Sequence, residues 1–257
     1  LGSVKVLSNL NSGVGTTANA TLGGTGLYDR AGGAVSISMV SVTANSSTAL
    51  ANATNHAYIT NAAVDALGPV AVESGGNSVA HAGVPTGTAA ASAVGIGINV
   101  LYAKAKGDFR AYIDVPEGMA LSAPGFSVKT TYRAAADAKG AQPAGGLQID
   151  LSLLSVKSNV AFALADAYAE AGIRGAGSLN ATNGKDVDIL VDGTATAESG
   201  FPGSTVAASA VSIAVNVAVS DVSGYQIAYL DGTDVTAQNV RVKSHFNDQK
   251  DAKNKPT

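Results

Sequence analysis

The chain contains no cysteine and no tryptophan, and it is poor in aromatic and charged residues. Charged residues make up 14% of its 257 positions and aromatic residues 5%, whereas an average soluble domain carries roughly 25% charged residues. The absence of cysteine excludes disulfide cross-links and thiolate metal sites. Hydrophobic residues still reach 46%, mostly as alanine and valine. Such small side chains fill a thin core between close sheets and fill a wide globular core poorly.

Two further classes of protein receive no support from the sequence. The net charge is −3, and no basic patch with interleaved aromatic residues is present, so we predict no nucleic-acid binding. No apolar stretch approaches the roughly 18 unbroken residues of a membrane helix, so we predict no membrane span. Because the sequence starts at Leu1 and stops within a repeating pattern, we expect an excerpt of a longer chain or a mature fragment.

Three short signatures recur in a fixed order. The second signature lies 54, 60 and 57 residues apart, counted from position 58 to 112, 172 and 229. The first signature is an alternating apolar run, with copies starting at Val35, Val94, Leu147 and Val211. The second occurs as Ala57-Tyr58-Ile59, Ala111-Tyr112-Ile113, Ala171-Gly172-Ile173 and Ala228-Tyr229-Leu230. The third is a short strand-like segment, found at Val4–Val6, Val70–Val72, Ser127–Lys129, Asp188–Leu190 and Arg241–Lys243.

The repeat predicts an all-β fold, a right-handed parallel β-helix with coils of about 57 residues. Apolar residues at every second position indicate strands, and stacking equivalent strands would bury faces that one unit leaves exposed. We therefore expect one solenoid domain over residues 1–247, with units near 31–90, 91–146, 147–206 and 207–247, and a polar tail or linker at 248–257. The segment Ala161–Ala171 has a composition that suits a helix, but its place in the repeat predicts a strand.

The sequence leaves open the number of coils in each unit and the choice between a solenoid and a sandwich. Each unit is either one long coil with three strands around an alanine-filled interior, which we favour, or two shorter coils. An antiparallel sandwich would explain the strands but not the fixed order of dissimilar signatures. Stacking predicts that Ile37 lies near Ile96 and that Tyr58 lies near Tyr112. A weaker apolar step between the second and third signatures is predicted at Val64, Met119, Leu179 and Val235.

No capping helix is apparent at either end, and an uncapped solenoid leaves open sheet edges. The predicted partners are therefore neighbouring copies, or flanking repeats of the same protein, stacked end to end.

The cadence of these signatures resembles the repeats of large bacterial filamentous adhesins, particularly the leukotoxin-like filamentous adhesin family. Two stretches carry the resemblance, residues 93–140 and residues 210–248. The resemblance implies an exported, surface-anchored and very long protein whose β-helical repeats hold adhesive parts away from the cell. It transfers no catalytic motif.

Candidate chemistry is sparse, and we predict no catalytic, cofactor-binding or metal-binding residues. The three histidines, His56, His81 and His245, form no metalloprotease motif and are interpreted as surface residues in or beside polar turns. Carboxylates cluster at Asp186, Asp188 and Asp192 and at Asp231 and Asp234, where oxygen-rich turns can bind calcium, but ordinary turn chemistry explains them equally.

Three further features received a functional and a structural interpretation. Asp114 and Asp231 follow the tyrosine of their copies and are candidate acids on neighbouring coils for polysaccharide cleavage, but no cleft with several convergent charged and aromatic groups is apparent. Tyr58, Tyr112 and Tyr229 recur at one repeat position, where an aromatic ladder binds sugars or stabilises stacked strands, and the spacing favours stabilisation. Gly95 and Gly97 lie inside an alternating strand, which indicates close sheet approach rather than a nucleotide-binding loop.

The function that these observations predict is a structural or adhesive segment of a bacterial cell-surface or filament-forming protein, located outside the cell and not an enzyme. The alternatives are a carbohydrate-active β-helix enzyme and a glycan-binding module, for which host or surface glycans would be the partners.

Overall fold

The computed structural model describes residues 3–10, 35–83, 89–139, 148–182, 185–200 and 205–247. Over these residues the regular structure consists of β-strands, all paired in parallel, and contains no helix. Each repeat contributes one strand to each of three sheets, which confirms the parallel β-solenoid and the interpretation of one long coil per repeat. The antiparallel sandwich is wrong.

The three sheets differ in strand length. The long sheet consists of β2 (Val35–Thr60), β5 (Ala89–Asp114), β8 (Gln148–Arg174) and β11 (Thr205–Asp231). The opposite sheet consists of β1 (Val4–Leu10), β4 (Val70–Ala82), β7 (Phe126–Lys139), β10 (Val187–Gly200) and β13 (Val240–Phe246). The corner sheet between them consists of β3 (Val64–Asp65), β6 (Ala120–Ala123), β9 (Ser178–Ala181) and β12 (Asp234–Thr236).

The core is a thin alanine-rich layer between the long sheet and the opposite sheet. Ala103 stacks in register on Ala163, and Ala105 on Ala165, and all four are fully buried. The aromatic pair Phe109 and Tyr132 crosses this layer with ring centroids 5.7 Å apart. Small side chains therefore let two sheets approach closely, as the composition predicts.

Amide side chains bridge the two sheets where the coils at the ends of the stack leave less apolar cover. Asn55 on β2 donates a hydrogen bond to the carbonyl oxygen of Gly75 on β4. Gln226 on β11 donates to the carbonyl oxygen of His245 over 2.9 Å, and its Oε1 accepts a bond of 3.2 Å from the Tyr132 hydroxyl. These bonds satisfy polar groups that would otherwise be costly inside the layer.

The observed strand register confirms part of the predicted stacking and corrects the rest. Tyr58 pairs with Tyr112 as predicted, and Ala161–Ala171 lies within strand β8 as predicted. Ile37, however, pairs with Ala91, and the residue of β2 that lies beside Ile96 is Val42. Alternation fixes which face a residue occupies, but pairing along the whole strand fixes its register.

Two other predicted alignments also change. In the third repeat the residues beside Val94 and Ile96 are Leu154 and Val156, rather than members of the run that starts at Leu147. In the corner sheet the partner of Val64 is Leu121, so the assignment of Met119 to that row is wrong. The fourth repeat was aligned correctly, since Val156 pairs onward with Ile213 and places Ile96 and Ile213 in one row.

The two ends of the stack are not equivalent. Over the described ranges, the opposite sheet has five strands, whereas the long and corner sheets have four. At one end β2 and β3 are edge strands beside the extra strand β1, and at the other end β11, β12 and β13 are all edge strands. The apolar side chains of β11 are exposed there, for example Val211 at 53% and Val215 at 54%. The predicted tail, 248–257, lies outside the described residues.

Candidate functional site

Polar and aromatic residues collect on the outer face of the long sheet, in four adjacent rows that run across the coils. Residues at every second position of a strand share a face, so a constant register turns each repeat position into a row. The four rows are Thr54-Asp108-Tyr168-Tyr225, His56-Arg110-Glu170-Ile227, Tyr58-Tyr112-Gly172-Tyr229 and Thr60-Asp114-Arg174-Asp231. We call this surface the tyrosine face.

Stacked rings and a guanidinium occupy one side of the tyrosine face. The rings of Tyr58 and Tyr112 stack with centroids 5.2 Å apart and an interplanar angle of 10°. The guanidinium of Arg174 lies 4.7 Å from the centroid of the Tyr112 ring, and its Nε lies 3.4 Å from Asp114 Oδ2. The arginine is therefore held by a ring and a carboxylate together, an arrangement that stabilises neighbouring strands.

A second arginine, Arg110 on β5, contacts a carboxylate on its own strand and a tyrosine ring on the next coil. Arg110 donates two hydrogen bonds to Asp108, of 2.7 and 2.9 Å, and its guanidinium lies 4.6 Å from the centroid of the Tyr168 ring. His56 Nε2 lies 3.3 Å from the same Asp108 carboxylate. Partial burial acts to raise the pKa of Asp108, but the hydrogen bond and charge of Arg110, aided by His56, hold it below its usual value.

Glu170 is the centre of the tyrosine face. Its side chain is buried among neighbouring strands, and its two carboxylate oxygens accept hydrogen bonds from the hydroxyls of Tyr168, at 3.0 Å, and Tyr229. Burial first, and then the bond to the Glu170 carboxylate, raise the pKa of both tyrosines. Each oxygen of the buried Glu170 carboxyl group thus has a phenol donor.

The third repeat carries glycine where the other repeats carry tyrosine, and the structure explains this departure. The ring of Tyr229 lies flat across Gly172, so a Cβ at residue 172 would stand 2.3 Å from the ring. Gly172 keeps its place in the strand, with Ala171 in register with Ala111 and Ala228. The coil is regular, and the glycine makes room for the tyrosine of the next coil.

In one of the predicted acidic clusters, Asp186 and Asp188 form ion pairs with an arginine. Arg241 Nη1 lies 2.8 Å from Asp186 Oδ2 and 3.1 Å from Asp188 Oδ1. Asn239 also donates to Asp186, and this hydrogen bond together with Arg241 lowers the pKa of Asp186. Among the described residues, no group of three or more histidine and acidic side chains is arranged to hold a metal ion.

The predicted acid pair is separated by an arginine. Arg174 pairs with Asp114 on one side and with Asp231 on the other, so the two carboxylates lie on strands that are not neighbours. The register therefore places Arg174 between them.

All three histidines lie in strands, and His81 and His245 are each one residue from the end of their strand. His56 is on β2 beside Asp108, His81 on β4 lies 3.1 Å from Asp137, and His245 is on β13. Gly95 and Gly97 lie inside β5, as the alternation predicts. The sequence interpretation did not single out Glu170, whose signal was its spacing of two residues from Tyr168, which puts both side chains on one face.

Comparisons with known proteins found no matching family model, no matching curated protein and no matching solved structure. Within the described ranges, the chain has no helix of the length and apolar character that crossing a bilayer requires.

Proposed function

We propose that this chain is a structural segment of a long β-solenoid displayed on a bacterial cell surface or filament, where it holds adhesive parts away from the cell. The observation that supports this most directly is the open edge of the long sheet at β11. A strand of 27 residues there pairs with β8 on one side, and no described strand pairs with its other side. Such an edge is a template for a further parallel strand.

Side-chain exposure at this edge supports extension of the stack rather than a finished end. Val222, on the inward-facing side of β11, is 41% exposed, whereas Ala165, its partner on β8, is fully buried. Val240 and Val242 on β13 are likewise exposed at 44% and 42%, although their partners Val187 and Ile189 are buried. Covering these side chains would remove apolar surface from water at about 25 cal/mol per Å².

A polar row offers matching groups for the same extension. Asn99, Asn159 and Asn216 lie in register across β5, β8 and β11, and each amide donates to the next, over 2.6 and 2.7 Å. Asn45 on β2 pairs in register with Asn99, so the row passes through all four repeats of the long sheet. A further coil with asparagine at this position would continue the row.

End-to-end extension predicts filaments that an inward-pointing charge abolishes. Electron micrographs of the purified chain should show rods that lengthen with concentration, and Val222→Lys combined with Val242→Lys should shorten them to single particles because a buried lysine blocks strand addition. Thr196→Lys, on the outer side of β10, is the matched control and should leave the rods intact. Short particles from the unsubstituted chain at every concentration would contradict assembly between copies and leave flanking repeats as the stacking partner.

Glycan binding is the second candidate, and it is favoured by the exposed rings of the tyrosine face. Tyr58 and Tyr225 are 49% and 54% exposed, and each stacks on a tyrosine of the neighbouring coil. A glycan array should then show a signal that Tyr58→Ala and Tyr225→Ala reduce at least tenfold, while Leu50→Ala, also on the outer side of the long sheet, leaves it unchanged. Equal loss with all three variants, or no signal at all, would contradict sugar recognition by these rings.

A further inference from the structure

The long sheet has a second outer surface, which the tyrosine face does not include. It comprises every second residue from Val94 to Tyr102 on β5, from Leu154 to Phe162 on β8 and from Val211 to Val219 on β11. We call this surface the valine face. Its residues share the side of the sheet with Lys104 and Arg110, which is the side turned away from the alanine core.

The valine face is unusually apolar for an outer surface. Of its fifteen positions, fourteen are hydrophobic, the exception is Ser158, and none is charged. Ile98 on the inner strand β5 is still 42% exposed, and on the edge strand Ile213 is 51% exposed. The outer positions that follow are Lys104 on β5, Leu164 on β8 and Asp221 on β11, so two of the three strands carry a charge directly after the face. Exposed apolar patches of this extent are typical of interaction sites.

The size of the valine face agrees with a weak interface between two proteins. Three strands about 4.8 Å apart and nine residues about 3.3 Å apart give a footprint on the order of 400 Å². Two such footprints pressed together bury about 800 Å², which is in the range of small, transient interfaces.

We propose that the valine face is the lateral interface between two copies of this chain, packed face to face about a two-fold axis. Two sheets pack about 10 Å apart when their facing side chains alternate and interdigitate, as β-branched residues do. The absence of charge offers nothing to an acidic or basic partner, whereas a second valine face presents the same apolar rows of side chains. A two-fold pairing uses one patch twice and therefore needs no second complementary surface.

This lateral contact is distinct from end-to-end extension, because it uses the side of the long sheet and leaves its edges free. It predicts a concentration-dependent dimer in a chain whose edges are blocked by Val222→Lys and Val242→Lys. In that background Val156→Lys, which places a charge at the centre of the face, should weaken dimerisation at least a hundredfold in sedimentation experiments. Leu164→Lys, on the same strand about 27 Å away, is the matched control and should leave the dimer unchanged.

A second measurement locates the contact without a charge substitution. The chain has no cysteine, so Ser158→Cys introduces a single thiol in the middle of the valine face, and Ser122→Cys introduces one on corner strand β6. A bis-maleimide spanning roughly 10 Å, the spacing of packed sheets, should cross-link copies through residue 158 and not through residue 122. Circular dichroism of each variant establishes that the strands are retained.

Three results would overturn the proposal. The first is an edge-blocked chain that remains monomeric up to millimolar concentration. The second is a dimer that survives Val156→Lys or cross-links equally at both cysteines. The third is a monomer that binds vesicles of uncharged phospholipid and loses that binding with Val156→Lys, which would assign the face to lipid.

Discussion

The ring of Tyr229 in the fourth repeat occupies the space that a side chain at position 172 of the third repeat would need. A Cβ on residue 172 would meet three ring atoms of Tyr229 at 2.3 to 2.6 Å. Displacing the ring would also remove the hydroxyl from Glu170, to which it donates a hydrogen bond. The glycine is therefore part of the tyrosine face and not an irregularity of the repeat.

We expect Gly172→Ala to lower the free energy of unfolding by about 2 kcal/mol, because the overpacked ring must move. Urea unfolding measures this change, and Gly200→Ala on β10, where an added Cβ meets no atom within 4 Å, is the matched control. In a Tyr229→Ala background the cost of Gly172→Ala should fall to a few tenths of a kcal/mol. An equal cost in both backgrounds would rule out the ring as the cause.

The buried Tyr132 makes the stability of the fold depend on pH in the alkaline range. Burial between the sheets raises the pKa of Tyr132 to about 12, above the value of about 10 for an exposed tyrosine. Both states are protonated below pH 10, and between pH 10 and 12 only the unfolded state loses its proton. Stability from this residue is therefore complete below pH 10 and falls as the pH rises toward 12.

Tyr132→Phe should lower the free energy of unfolding by about 1 kcal/mol at pH 7, because the hydroxyl no longer donates to Gln226. At pH 11 the variant and the unsubstituted chain should be nearly equal in stability. That pH is one unit above the pKa of tyrosine in the unfolded chain, so ionisation of the unfolded state has by then removed about 1.4 kcal/mol from the stability of the unsubstituted chain. Denaturant unfolding at both pH values provides the comparison. Phe109→Leu, in the same core layer, removes no titratable group and should show a constant difference. A constant difference for Tyr132→Phe as well would contradict the buried hydroxyl.

At the level of strands, the asparagine row shows how one polar position is repeated through a sheet. Asn159 accepts a hydrogen bond from Asn99 and donates one to Asn216. Each of the three amides thus satisfies a neighbour on an adjacent strand, which is the sheet equivalent of a side-chain pair on a helix. Loss of the middle member interrupts both bonds at once.

Asn159→Ala is expected to lower the free energy of unfolding by about 2 kcal/mol, the sum of two ordinary hydrogen bonds. Asn216→Ala, at the end of the row, should lower it by about half as much. Thermal or urea unfolding of both variants, with Asn180→Ala on the exposed side of β9 as control, measures the ratio. Equal effects of Asn159→Ala and Asn216→Ala would contradict the expectation that Asn159 contributes two hydrogen bonds and Asn216 one.

The sequence predicted the strands well and their lateral alignment less well. Alternation identified the faces of β5 and β11, and the repeat placed Tyr58 beside Tyr112. It failed for Ile37, because Ile37 and Ile96 are 59 residues apart whereas Tyr58 and Tyr112 are 54 apart. The pairing of β2 with β5 keeps the spacing of the tyrosines along the strand, so Val42 lies beside Ile96. The two registers differ by five residues, and a slip by an odd number would exchange the two faces of the strand.

The polar part of the tyrosine face was less predictable still. Arg110, Glu170 and Arg174 come from two different repeats and look like isolated surface charges in the sequence. Their partnership appears only when the coils stack, since Glu170 lies in register with Arg110 and Arg174 with Asp114. The tyrosines repeat and could be recognised, whereas the charges between them do not repeat and could not.

In the whole molecule, stability is distributed along the stack. β5 and β8 have a parallel partner on each side, whereas β11 has a partner on one side only. The stability of stacked repeats is approximately a sum over neighbours, so the outermost coil opens first.

Hydrogen exchange should therefore show strong protection along β5 and β8, and alternating protection along β11, where every second amide points away from β8. Mass spectrometry or NMR of dilute, unassembled chain measures this pattern. The same experiment on assembled material should raise the protection of β11 to that of β8. Uniform protection of β11 in the dilute chain would mean that its edge is already covered.

The unequal strand number of the sheets sets the geometry of any joint between copies. If β1 of one copy lies beside β13 of the next, the extra strand occupies a level of its own, and the long and corner sheets are left one strand short at each junction. Successive copies would then advance by five strand levels, about 24 Å, rather than by four, about 19 Å. Fibre diffraction would therefore show a layer line near 24 Å beside the 4.8 Å reflection, and each joint would be a notch where a protease or a pulling force acts first.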